Sequence, residues 1–63
     1  MRFAIYDEKT GLFSDHVDSN SFEIAKHQAR KGEQVTEIPE TANGPTHRID
    51  LETLKAVSKT NNG

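Results

Sequence analysis

The chain has 63 residues, 32% of them apolar, and a formal net charge of −2, which suits one small domain. Its eight basic residues are scattered, so the basic stripe of a nucleic-acid binder is missing. No run approaches the ~20 apolar residues of a membrane helix, no secretory signal is expected, and the lack of cysteine excludes disulfides and thiolate metal sites.

The small apolar content limits the stability of the isolated chain. A domain of this size buries only roughly 60% of the surface that its unfolded form exposes. Ordering the chain costs about 1.5 kcal/mol of conformational entropy per residue. The apolar burial in a core this small roughly offsets that cost and leaves little net stability. Since no disulfide is possible, we expect a protein partner, identical or different, to complete the stability.

The N-terminal third predicts a β-hairpin. Residues 1–6 have strand composition, with apolar side chains on both faces. Residues 7–11, DEKTG, predict a turn in which the final glycine takes a positive φ. Residues 12–18 then form the return strand, and the two-residue alternation places Phe13 and Val17 on one face.

Residues 19–32 change to a helical period. Asn20 is the expected N-cap with Glu23 completing a loose capping box, and Gly32 is the expected left-handed cap at the end. A helix of about three turns is marginal alone in water, so it must dock on the hairpin. The residues expected to form its buried face are Phe22, Ile24, Ala25 and Ala29.

The second half predicts further strands. Residues 33–39 read as a strand that ends at a proline, with Val35 and Ile38 on opposite faces, and residues 46–51 alternate cleanly. Residues 50–58 leave two alternatives open, which are a short helix or a turn followed by a final strand.

These elements predict an α+β, strand-rich fold. It consists of an N-terminal β-hairpin, a short helix, and one or two further strands in a small antiparallel sheet. Residues 1–58 are predicted to form a single small domain, and residues 59–63 a polar, flexible tail.

A metal site is not predicted, although three histidines invite the question. His16 and Asp18 share a strand face, and His27 and His47 are further candidates. A zinc site needs three or four ligands, whereas spacing here supplies one pair. A solvated strand face explains that pair more simply, so we predict no metal and no cofactor.

Catalysis is not predicted either. The serines fall in turns, caps or the tail, and the paired carboxylates lie where nothing apolar would raise a pKa for acid–base work. A domain this small also rarely encloses a pocket of ~300 Å³. We therefore expect a binding or structural protein, not an enzyme.

Three spaced segments carry a family resemblance: FAIYDEKTG, QARKGEQVTEIP and GPTHRIDLETLKAV. Together they resemble a loose family of short proteins encoded among the tail genes of tailed bacteriophages, over nearly the whole chain. The matching residues are Phe3–Asp7, Thr10, Gly11, Gln28, Ala29, Gly32, Glu33, Val35, Glu37, Thr46, His47, Ile49 and Asp50. The chain departs from the family at Lys31, where proline is usual, and at LETLK, where a second T-G turn is usual. For residues 50–58, the resemblance favours a hairpin.

The resemblance implies a structural or adaptor component of a phage virion, associated with the tail or tail fibre. Such a protein is made in the host cytoplasm and binds a tail or fibre protein or copies of itself, without nucleic acid or membrane. The alternative is a small phage-encoded effector that binds and inhibits a host protein.

Four residues are the candidate partner contacts. Tyr6 and Phe13 are the expected exposed aromatic residues of the hairpin, although both also suit a core. Lys26 and Arg30 lie at the predicted helix end, where cations suit the helix dipole and could meet an acidic partner.

Overall fold

The structure is a computed structural model that describes residues 1–59, and the predicted tail beyond Lys59 lies outside the described residues. The elements are β1 (Arg2–Asp7), β2 (Phe13–Asp18), α1 (Phe22–Lys26), β3 (Glu33–Ile38), β4 (His47–Asp50) and β5 (Lys55–Ser58). The predicted α+β, strand-rich class is confirmed.

The strands form two antiparallel sheets. β1 lies between β2 and β3 in a three-stranded sheet, and β4 pairs with β5 in a two-stranded sheet. The N-terminal hairpin is therefore confirmed. Residues 51–54 form a turn between β4 and β5, which decides the open question at 50–58 in favour of the hairpin.

β1 is buried on both faces because the sheet is the middle of three layers. Phe3 and Ile5 lie on the side that α1 covers, where the rings of Phe3 and Phe22 are 5.8 Å apart. We call this the helix face. Ala4 and Tyr6 lie on the opposite side, the hairpin face. There they form one cluster with three residues from β3, the following loop and β4: Ile38, Ala42 and Ile49.

A β-bulge in β2 corrects one prediction about the faces. The cross-strand pairing skips Ser14, so this residue is the extra one in β2. Phe13 consequently pairs with Tyr6 on the hairpin face, whereas Val17 pairs with Phe3 on the helix face. The prediction that Phe13 and Val17 share a face was wrong, because a bulge interrupts the two-residue alternation.

The N-cap of α1 is Ser21 and not the predicted Asn20. The Ser21 backbone is extended, and its hydroxyl oxygen accepts a hydrogen bond from the Ile24 amide at 3.4 Å. Only Ala25 is buried within α1. Because tertiary packing supplies most helix stability, one buried residue supports a single short helix and not the three turns predicted.

Gly32 adopts the predicted positive φ, 87°, but in a different role. The helix has already ended at Lys26, with His27 as its C-cap. Gly32 instead belongs to the turn that leads into β3, in which the Glu33 amide donates to the Arg30 carbonyl at 3.0 Å.

β4 docks on the turn of the first hairpin through Gly11. The amide of Ile49 donates to the Gly11 carbonyl at 2.7 Å, and the Arg48 guanidinium donates to the Thr10 carbonyl at 2.7 Å. Gly11 is buried with φ 79°, and a Cβ at this position would collide with the Ile49 carbonyl oxygen. The glycine therefore allows both the turn conformation and the close approach of β4.

We expect Gly11→Ala to destabilise the protein by roughly 2–3 kcal/mol, combining the left-handed backbone cost with the loss of a hydrogen bond to β4. Urea denaturation followed by circular dichroism measures this. Gly32→Ala is the matched control, because Gly32 also has a positive φ but open space around its Cβ position. The explanation fails if both variants lose the same stability.

Leu54 is strained in the β4–β5 turn. It has φ 62°, and its amide donates to the Asp50 carbonyl at 2.6 Å. Its side chain is 48% exposed, so little burial offsets the strain. The left-handed region costs an L-residue roughly 1–2 kcal/mol.

We expect Leu54→Gly to stabilise the free protein by roughly 0.5–1 kcal/mol, since relief of strain exceeds the added freedom of the unfolded chain. Leu54→Ala keeps the strain and should bring no gain. Thermal unfolding of the two variants beside the original protein compares them directly. A stabilising Leu54→Ala would show that the exposed leucine, and not its backbone, limits stability.

Candidate protein-binding site

β2 is an edge strand whose outer side has no strand partner among residues 1–59. The amide of Ser19 donates to the Met1 carbonyl at 2.9 Å, which marks Val17 and Asp15 as the β2 residues bonded to β1 on this side of the bulge. Bonded and unbonded positions alternate in an antiparallel pair. His16 therefore directs its amide and carbonyl away from β1, toward the open edge.

Asp15 closes this edge in the free protein. Its carboxylate accepts a hydrogen bond from the outward amide of His16 at 2.7 Å. A charged side chain that occupies an edge amide is a common protection against unwanted strand pairing. The His16 amide is thus available to a partner only when Asp15 gives up this hydrogen bond.

A hollow of about 170 Å³ lies beside β2 on the helix face. Ile5 is on that face and pairs with Asp15 in the ladder. The residues that line this helix-face hollow are Ile5, Ser14, Asp15, Gln28, Arg30 and Glu33. The hollow thus lies over the central strand β1, with β2 on one side, the start of β3 on the other, and the segment after α1 as a further wall.

A second hollow of about 230 Å³ lies beside β2 on the hairpin face. Phe13 packs against the Ala4 and Tyr6 cluster there, which fixes the face. The residues that line this hairpin-face hollow are Phe13, Ser14, Asp15, His16, Gly44 and Pro45. A cavity of about 150 Å³ can hold a benzene ring, so each hollow has room for one side chain.

Electrostatically, the helix-face hollow carries two carboxylates and one guanidinium. The backbone amide of Arg30 donates to the Glu33 carboxylate at 2.8 Å. This hydrogen bond holds the pKa of Glu33 below its ordinary value of 4.5. Asp15, Glu33 and Arg30 together give this hollow a formal charge of −1 at neutral pH.

The structure separates the four predicted contact residues. Phe13 is half-buried and lines the hairpin-face hollow, while Arg30 lines the helix-face hollow. Lys26 lies elsewhere, with its Nζ 5.8 Å from the ring centroid of Phe22. The sequence therefore pointed to one residue on each side of the β2 edge, without relating the two.

Tyr6 is not an exposed contact. It is only 4% exposed, because the second hairpin covers its face of the sheet, and this burial raises the pKa of its hydroxyl. The expectation of an exposed aromatic residue at this position was wrong, and the alternative, a core residue, is what the structure has.

Two residues predicted as helix core are exposed instead. Phe22 is 43% exposed and Ile24 is 56% exposed. They are two positions apart, which is about 200° around a helix, so one short helix cannot bury both. Other large apolar side chains are also exposed: Met1, Leu12, Leu51 and Leu54.

The histidines do not form a metal centre in the described part of the chain. Among residues 1–59, no group of three or more histidine or acidic side chains could hold a metal ion. Asp18 instead pairs with Arg2 at 3.2 Å. His16 belongs to the open edge and the hairpin-face hollow.

Comparison with known proteins adds no assignment. No protein-family model, curated protein or solved structure matches the chain. The resemblance to phage tail proteins therefore stays a prediction. In the described range, no helix is long and apolar enough to cross a membrane.

The lowered pKa of Glu33 predicts a pH dependence. A carboxyl whose pKa is lower when folded adds stability above its unfolded pKa, and this is lost as pH falls through the folded value. Between about pH 6 and pH 3 we expect the protein to lose more stability than Glu33→Gln does. Thermal unfolding at a series of pH values tests this. An NMR titration midpoint for Glu33 at or above 4.5 would contradict it.

Proposed function

We infer that this chain is a protein-binding module that serves as a structural or adaptor component of a tailed-phage virion, associated with the tail or tail fibre. The observation that supports binding best is the outer edge of β2, with a side-chain-sized hollow on each face. Edges of this kind accept an added strand from another protein, with hollows that select its side chains.

The distribution of apolar residues supports a protein partner. Within residues 1–59 the fully buried large side chains are Phe3 and Ile49, while six large apolar residues are exposed. A partner that covers part of this exposed surface would add the apolar burial that a domain of this size lacks.

The phage context rests on the resemblance. Several of its matching residues have structural roles: Phe3–Asp7 makes up most of β1, and Gly11 receives the hydrogen bond from Ile49. The pattern thus describes a scaffold. The tail association is carried over from the family, and binding at the β2 edge is the part argued from geometry.

Peptide mass spectrometry of gradient-purified particles from the encoding phage tests the proposal. We expect stoichiometric detection, at a multiple of three or six copies per particle, counted against the major tail protein. A non-structural protein of the same phage, measured in the same fractions, sets the level of contamination. Absence from particles together with abundance in infected-cell lysate would overturn the virion role and favour the host-protein effector.

A further inference from the structure

We propose that the partner supplies an extended segment that pairs with the outer edge of β2, with an apolar residue in the hairpin-face hollow and an adjacent basic residue in the helix-face hollow. This rests on the proposed protein-binding function and specifies the chemistry of the segment that is bound.

The two hollows are arranged as an added strand requires. They lie on opposite faces of the sheet, and both are lined by Ser14 and Asp15. Successive side chains of a strand point to opposite faces. Two consecutive residues of a segment bonded to His16 would therefore enter one hollow each.

The helix-face hollow favours a basic side chain. The carboxylates of Asp15 and Glu33 line it, against the single guanidinium of Arg30. A lysine or arginine that enters beside these carboxylates makes a charge-assisted hydrogen bond, which is stronger than a neutral one. An acidic side chain would meet two like charges.

The hairpin-face hollow favours an apolar side chain. Phe13 and Pro45 are its apolar lining, beside the polar Ser14, Asp15 and His16, and Phe13 is already half-buried against the core. Asp15 pairs with Ile5 in the ladder, so its side chain belongs to the opposite, helix face. Gly44 lies against the Phe13 ring, and a Cβ at this glycine would be 3.4 Å from the Phe13 Cβ. An apolar side chain placed here extends the existing core to the edge of the sheet.

Asp15 couples the pairing of the incoming strand with the binding of its basic side chain. In the free protein its carboxylate holds the His16 amide at 2.7 Å. A carbonyl of the incoming strand takes over that amide, and the released carboxylate then meets the basic side chain. The same residue thus protects the edge without a partner and selects the partner by charge.

Selection of peptides from a random displayed heptapeptide library tests the proposal on the full chain. We expect the original protein to enrich adjacent apolar and basic residues, and Asp15→Lys to enrich adjacent apolar and acidic residues. Binding of an enriched basic peptide should fall about tenfold or more in Asp15→Lys, since a charged hydrogen bond is replaced by repulsion. Glu52→Lys is the matched control, because it makes the same charge change in the β4–β5 turn, outside both hollows, and should keep the original preference.

The site of binding is then mapped by NMR. Titration of the ¹⁵N-labelled protein with the enriched peptide should shift the amide signals of His16 and Gly44 most. Enrichment of no apolar–basic pair, the same preference in Asp15→Lys, or shifts confined to other surfaces would each overturn the proposal. Circular dichroism confirms that the variants are folded. Detection in phage particles does not depend on these results, so the two proposals fail separately.

Discussion

β1 is covered on both faces, because α1 packs on one and the β4–β5 hairpin on the other, while β2 and β3 pair with its two edges. Its apolar run gives the sheet two sides that must be kept from water, so a single layer beneath the sheet is not enough. α1 supplies one cover with the fully buried Ala25, and the β4–β5 hairpin supplies the other with Ile49. The three layers are the consequence of one central strand with no polar face.

The attachment of the second hairpin includes a backbone contact as well as the burial of the Ile49 side chain. The Gly11 carbonyl accepts a hydrogen bond from the Ile49 amide. The two backbones approach so closely that a Cβ at position 11 would collide with the Ile49 carbonyl oxygen. This contact joins the turn of the first hairpin to β4 and brings the loop before β4 against Phe13. The hairpin-face hollow forms at that junction. The same contact that completes the core therefore also builds one wall of the candidate site.

The Ser14 bulge connects the fold with binding. The bulge directs the Phe13 side chain toward the core, while the carboxylate of Asp15 remains at the open edge beside His16. β-bulges are frequent at sheet edges, where they end the strand pairing or change the direction of a side chain. Here a protected edge lies between two hollows that share Ser14 and Asp15. Glu33 and Arg30 add charged groups to one hollow, and Phe13 and Pro45 add apolar surface to the other. A small chain can in this way offer selectivity without an enclosed pocket.

By itself the sequence determined the local elements, because they follow from two-residue alternation and turn chemistry. These are the first hairpin with its glycine turn, the strand before Pro39, and the opposite faces of Val35 and Ile38. It also singled out Phe13 and Arg30. Tertiary structure decided the rest, because burial depends on residues distant in the chain. It shortened the helix that periodicity predicted, exposed Phe22 and Ile24, and buried Tyr6. Only the packed chain brings Glu33 and Pro45 into the two hollows that Asp15 lines. Pairing register and the bulge arise between strands and leave no local pattern.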